Sequence, residues 1–187
     1  MRAQHMARTA AVVIALICTV AGCSVLPGKS GGDKKRESGP AYTDALEAMR
    51  PDVVSALQAT MPHVQLDESS GADDCGGRDV LDSKDGSKRT GTLYLTVPGD
   101  PTDTRQSKEL VEEVVKHLTG RGWTVQQGAT VSPDEPDGYV RKVTKSGLLG
   151  SVTVSASPFK LTSGKISQTL GATVVTDCLR NPDWHKG

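Results

Sequence analysis

Strict alternation in the second half of the chain constrains the fold more than any other feature. Leu93, Leu95 and Val97 alternate with Thr92, Tyr94 and Thr96. Val152, Val154 and Ala156 alternate with Ser151, Thr153 and Ser155 inside the stretch from Leu148 to Ser157. Leu170, Ala172 and Val174 recur the same way inside Lys165 to Cys178, with Thr169 and Thr173 at alternate positions, and Val175 breaks the pattern near its end. A period of two places apolar residues on one face of a strand and polar residues on the other. Ser146-Gly147 and Ser163-Gly164 separate neighbouring stretches by tight turns, so these strands pair antiparallel. Trp123 to Gln127 and Tyr139 to Lys145 read as further strands, about five in all. A sheet with one apolar face needs a cover on that face.

Two amphipathic segments supply the cover. Leu46, Met49, Val53, Leu57 and Met61 recur at helical spacing behind a cap pair of Asp44 and Glu47. Pro51 is expected to interrupt this helix or to start a second one, and Pro62 to end it. Leu110, Val111, Val114, Val115 and Leu118 form the second stripe, capped by Asp103 or Thr104 and ended by Gly120 or Gly122. The expected class is α+β, an antiparallel sheet of about five strands with two or three helices on one face. Asp67 to Thr90 carries Asp67, Glu68, Asp73, Asp74, Asp79, Asp82 and Asp85 among glycines, and a surface loop is expected there.

The N-terminus reads as an address. Arg2, His5 and Arg8 precede an uncharged apolar run from Ala10 to Ala21. The run is too short to span a bilayer as a helix and fits a secretory signal peptide. Val20-Ala21-Gly22-Cys23 resembles a bacterial lipobox, in which small residues precede a cysteine. The resemblance implies cleavage between Gly22 and Cys23 by signal peptidase II and a diacylglyceryl group on Cys23. Two acyl chains hold a protein firmly at a membrane where one is marginal. Ser24 to Pro40 is rich in Gly, Ser, Pro and charge, a flexible tether with a reach of about 23 Å. The expected organisation is a signal at 1–22, a lipidated cysteine and tether at 23–40, and one domain at 41–187. With this layout the whole chain resembles the small lipoproteins of actinobacteria. That resemblance implies attachment to the outer side of the cytoplasmic membrane and carries over no functional residues.

Of the four cysteines, Cys18 lies in the signal and Cys23 takes the lipid. Cys75 and Cys178 remain as an even pair in an exported domain, where a disulfide is the natural state. A loop of that length corresponds to about 4.7 kcal/mol in the chain-entropy account.

Composition excludes some functions. Basic and acidic side chains number 22 each. Removing the signal takes Arg2 and Arg8 and leaves a net charge of −2. Aromatic residues are 3% of the chain. A strongly basic nucleic-acid binder is excluded, and the scarcity of aromatics argues against a stacking platform for single strands. Catalytic patterns are weak. Ser157-Pro158-Phe159-Lys160 matches S-x-x-K but follows a strand, and no G-x-S-x-G elbow is present. His63, His117 and His185 lack metal spacing. The acidic stretch 67–85 invites a calcium reading, but Asp82-Ser83-Lys84-Asp85-Gly86 puts Lys where a ligand belongs and no closing Glu follows. Asp134-Glu135-Pro136-Asp137-Gly138 reads as a turn. No cofactor is expected. The sequence points to a non-catalytic, lipid-anchored module that binds an envelope protein, a polymer or a small ligand. A lipid or ligand carrier, a hydrolase with dispersed residues and a structural spacer are the alternatives. The polar alternate positions Thr92, Tyr94, Thr96, Ser151, Thr153, Ser155, Thr169 and Thr173 mark a wet sheet face suited to polar contacts.

Overall fold

In a computed structural model that describes residues 39–76, 85–128, 130–132 and 135–184, two helices cover one face of an antiparallel sheet. All described residues fall in one unit of the chain, 36–187. The expected signal and the Gly22 and Cys23 positions lie outside the described residues.

Helix α1 runs Tyr42–Thr60 and buries Ala45, Met49, Val53, Ala56, Leu57 and Thr60. Its N-cap is Ala41, whose N–H donates to Asp44 Oδ2 at 3.3 Å, so the acid closes the first turn from inside the helix. Asp44 with Glu47 is therefore not the cap pair. Pro51 does not break the helix. Its missing N–H would have bonded the Glu47 carbonyl, and both residues face solvent, so water can take that acceptor. Thr60 Oγ1 donates to the Ala56 carbonyl in the last turn, and the helix gives way to Met61.

A hairpin follows, β1 Asp67–Cys75 and β2 Asp85–Val97, paired from Asp67↔Thr96 to Asp74↔Arg89 before a register shift. The described parts of the acidic stretch are thus strands and not a loop. β1 is an edge strand with exposed acidic residues, and Arg50 of α1 clamps Glu68 with three hydrogen bonds of 2.6–3.0 Å. Such edges resist unwanted pairing by carrying charge.

Helix α2 runs Ser107–Thr119. Its N-cap is Gln106, whose N–H donates to Glu109 Oε2 at 2.9 Å, in place of the expected Asp103 or Thr104. Gly122 adopts a φ of 86°, a left-handed value that suits glycine, and lets Trp123 N–H return to the Leu118 carbonyl at 3.2 Å.

The remaining strands are β3 Thr124–Val125, β4 Thr130–Ser132, β5 Glu135–Thr144, β6 Gly150–Lys160, β7 Ile166–Thr176 and β8 Leu179–Arg180. The sheet order is β1-β2-β7-β6-β5-β3, with β4 on β5 and β8 on β2. Among the described residues eight strands replace the expected five, because the three extra ones, β1, β4 and β8, are two or three residues long or carry no alternation. The stretch from Glu135 opens β5 and does not form the expected turn. β7 returns to the centre and pairs with β2 on one side and β6 on the other.

Both helices lie on the same face, α1 against β2 and β7, α2 against β5, β6 and β7. Met49, Leu57, Leu110, Leu118, Leu95, Leu170, Val152 and Val154 are fully buried between the layers. At about 1.5–3 kcal/mol per buried large apolar side chain, this layer is the main stabilising feature. Cys75 and Cys178 form a disulfide with their Cα atoms 6.1 Å apart, tying the end of β1 to the segment between β7 and β8.

Candidate functional site

The polar alternate positions named from sequence all lie on the sheet face away from the helices. Directly paired residues share a face, so the register builds this surface in rows across β2, β7 and β6. Thr92, Val175 and Ser151 form one row. Tyr94, Thr173 and Thr153 form the next. Thr96, Gly171 and Ser155 follow, then Thr169 with Ser157, then Ser167 with Phe159. No charged side chain stands on these three strands' part of the face, but the rows run on to Asp67 of β1 beside Thr96 and to Lys142 of β5 beside Thr153. Among the described residues, the hydroxyls of Thr92 to Thr96, Ser151 to Ser157, Thr169 and Thr173 make no side-chain hydrogen bond. They face water with donor and acceptor capacity unspent.

Gly171 makes a hollow in this surface. It sits where a side chain would stand between Thr96 and Ser155, and the space above it is about 150 Å³. Thr169 and Thr173 wall the hollow along β7, and Tyr94 stands at its corner with half of its surface exposed. A Cβ at Gly171 would lie 3.2 Å from the Leu95 carbonyl, so any larger residue would fill the hollow from below. A lone glycine inside an alternating strand signals close approach by a ligand or backbone, and this one was not picked out from sequence. Phe159, also on this face, is 37% exposed and lies about 20 Å from Tyr94 along the strands.

Gly99, just past β2, closes the Phe159 end. A Cβ there would fall 2.3 Å from Ser167 Oγ and 2.8 Å from the Phe159 ring. Ser167 Oγ is buried there without a hydrogen-bond partner.

The helix side carries charged clusters of a different character. Asp52 of α1 accepts from Trp123 Nε1 and from Lys145 Nζ, each at 2.9 Å. Partial burial raises the Asp52 carboxyl, and these two hydrogen bonds outweigh it, holding the group below the usual carboxylate range. Lys145 also lies 6.0 Å above the Trp123 ring. Glu112 of α2 accepts from Tyr139 Oη at 2.6 Å and Arg141 Nε at 2.8 Å. Its carboxyl is likewise raised by burial and lowered further by those donors, with a net fall. Each carboxylate is held by two donors from outside its helix, an arrangement that fastens the helices to the β3–β5 side of the sheet. These clusters were invisible in sequence, since their members are tens of residues apart.

The other sequence candidates separate in space. Ser157 stands on the open face, and Lys160, three residues on in the same strand, on the opposite one, so the S-x-x-K pair does not meet. His63 is exposed after α1, and His117 is half-buried in α2. His185 and the 77–84 part of the calcium candidate lie outside the described residues. Among the described residues no three His, Cys, Asp or Glu side chains converge in a way that could hold a metal. Among them, too, no helix is long and apolar enough to cross a membrane.

No family model, curated protein or solved structure matches this chain.

Proposed function

We propose that this chain is a non-catalytic binding module, anchored by lipid at Cys23 on the outer side of the cytoplasmic membrane, that presents its open sheet face to a partner in the envelope. One observation carries the binding role. Across three central strands the sheet exposes unpartnered hydroxyls and a hollow floored by Gly171, with charge only on the flanking strands, at Asp67 and Lys142. The centre of a face that only needed to be wet would tolerate the Lys and Glu that dominate ordinary protein surfaces. The anchor rests on the lipobox-like Val20-Ala21-Gly22-Cys23 and the polar tether behind it.

A binding module fits better than a lipid carrier. The space between helices and sheet is occupied by Met49, Leu57, Leu110 and Leu170. The hollow lies on the other side of the sheet, among hydroxyls.

Two measurements on membranes of producing cells test the reading. The mass of the N-terminal peptide is expected to show a chain that begins at a diacylglycerylated Cys23, and Cys23→Ser to release the protein from the membrane fraction. A photo-crosslinking residue placed at Thr173 is expected to form adducts in intact cells, while the same residue at Lys116 on α2 stays free. Adducts confined to Lys116, or a chain that keeps residues 1–22, would overturn the corresponding half of the proposal.

A further inference from the structure

Given the reading of the open face as the binding surface, its flanking charges and the tether together narrow the partner. We infer that the partner is a second copy of this chain on the same membrane, packed open face to open face about a two-fold axis along β7. The strands β1, β2, β7, β6 and β5 lie side by side, so β7 is the middle of the five. On a two-fold axis a residue meets its own copy, and a charge there would repel itself. The open-face residues of β7 are Ser167, Thr169, Gly171, Thr173 and Val175, and none is charged. Hydroxyls can meet their own copies, because each is donor and acceptor at once. The hollow at Gly171, about 150 Å³, falls on the axis and lets the two sheets close there.

The charges stand on the flanks, with opposite sign. Asp67 lies on β1 beside Thr96, and Lys142 lies on β5 beside Thr153. Both are exposed, and among the described residues neither has an ion-pair partner. A two-fold along β7 lays β5 of one copy over β1 of the other. Lys142 then falls over the partner's Ser69, one row and about 7 Å from the partner's Asp67, within the span of a lysine side chain. A two-fold across the strands would lay β1 on β1 and set acid against acid.

The tether selects the same axis. Arg180 N–H donates to the Pro40 carbonyl at 3.3 Å, and Arg180 Nε donates to the Gly39 carbonyl at 3.1 Å. Arg180 pairs with Lys88, which lies beyond the Gly91–Thr176 contact, so the chain enters past the Thr176 end of β7. An axis along β7 puts both entry points at one end, facing one membrane. An axis across the strands separates them by more than the length of β7, about 36 Å, against a tether reach of about 23 Å. The five strands offer roughly 600 Å² per copy, the low end of specific interfaces. Anchoring both copies in one membrane raises their effective concentration, which such an interface needs.

The test uses the full lipidated chain in membranes of producing cells. A water-soluble carbodiimide joins a touching carboxylate and amine as an amide and leaves as its urea. Within one chain Lys142 and Asp67 stand four strand spacings apart, about 19 Å, so a peptide pair joined through them comes only from two copies. That pair is expected in membranes and absent at high dilution in detergent. The photo-crosslinking residue at Thr173 is expected to give adducts of twice the chain's mass. Lys142→Asp and Asp67→Lys are each expected to cut these adducts about tenfold, and the two together to restore them. The near-ultraviolet signal of buried Trp123 reports that each variant keeps its fold. Thr173 adducts of any other mass would assign the face to a different partner and overturn this inference, with the open-face reading left standing. Dimer adducts indifferent to both charge reversals would overturn the axis and this inference with it. Adducts confined to Lys116 would overturn both readings.

Discussion

Leu170 and Thr169 are neighbours in β7, yet they belong to two different surfaces. Leu170 is fully buried beneath the helices, while Thr169 walls a hollow open to water. The same holds for Leu95 beside Thr96 in β2 and for Val154 beside Ser155 in β6. One face of the sheet is a packed apolar layer fastened by charged clusters at its edges. The other carries hydroxyls without partners on its three central strands, with Asp67 and Lys142 on the flanking strands. The lesson is that the two periodic halves of each strand are separable: one half specifies the fold, and the other is free to carry a surface chemistry. Substitutions on either face should then differ in size and in kind.

The largest expected loss concerns neither face but the tie between hairpin and central strand. Reducing Cys75–Cys178, which closes a separation of 103 residues, is expected to cost about 2–5 kcal/mol. Denaturant melts with and without reductant check this. A change under about 1 kcal/mol would mean that the hairpin is held to the sheet by strand pairing alone.

Next in size is the inner face. Leu170→Ala is expected to lose about 2–5 kcal/mol through lost burial and a residual cavity. Thr169→Ala, one residue away, is expected to stay within about 0.5 kcal/mol. Equal losses at the two positions would break the comparison outright.

A smaller effect belongs to the edge clusters. Asp52→Asn keeps the size of the side chain and removes the charge that Lys145 and Trp123 hold, at an expected cost of about 1 kcal/mol near neutral pH. The pH dependence has a definite sign. The Asp52 carboxyl is depressed in the folded protein, so its stabilising effect is fully present above the unfolded aspartate value of about 3.9. That effect is lost as pH falls through the lower folded value. Stability curves of the parent and Asp52→Asn chains should therefore converge below about pH 4. The smallest effect is on the outer face, where Tyr94→Ala is expected to leave the midpoint within about 0.5 kcal/mol.

Alternation made much of this legible in the sequence. The central strands β2, β6 and β7, both helical stripes and the polar rows of the open face follow from period and polarity alone. The hairpin did not. β1 reads Asp-Glu-Ser-Ser-Gly-Ala-Asp-Asp-Cys, residues that disfavour strands, and it pairs only at an edge, where tertiary context outweighs propensity. Helix caps slipped by two or three residues, because the groups that close the first turns, Asp44 and Glu109, lie inside the helices. The hollow was hidden for another reason. Gly171 matters only because the register places Thr96 and Ser155 beside it, and register between strands 75 and 16 residues apart is not written in either strand.

The most direct measurement is hydroxyl-radical footprinting of the protein in intact envelopes against the purified chain. Tyr94 reports the open face, and His117 reports the helix layer. If the open face is the working surface, Tyr94 is protected in envelopes and reactive once purified, while His117 is modified equally in both. Tyr94 equally reactive in both states, with protection at His117, would contradict the account.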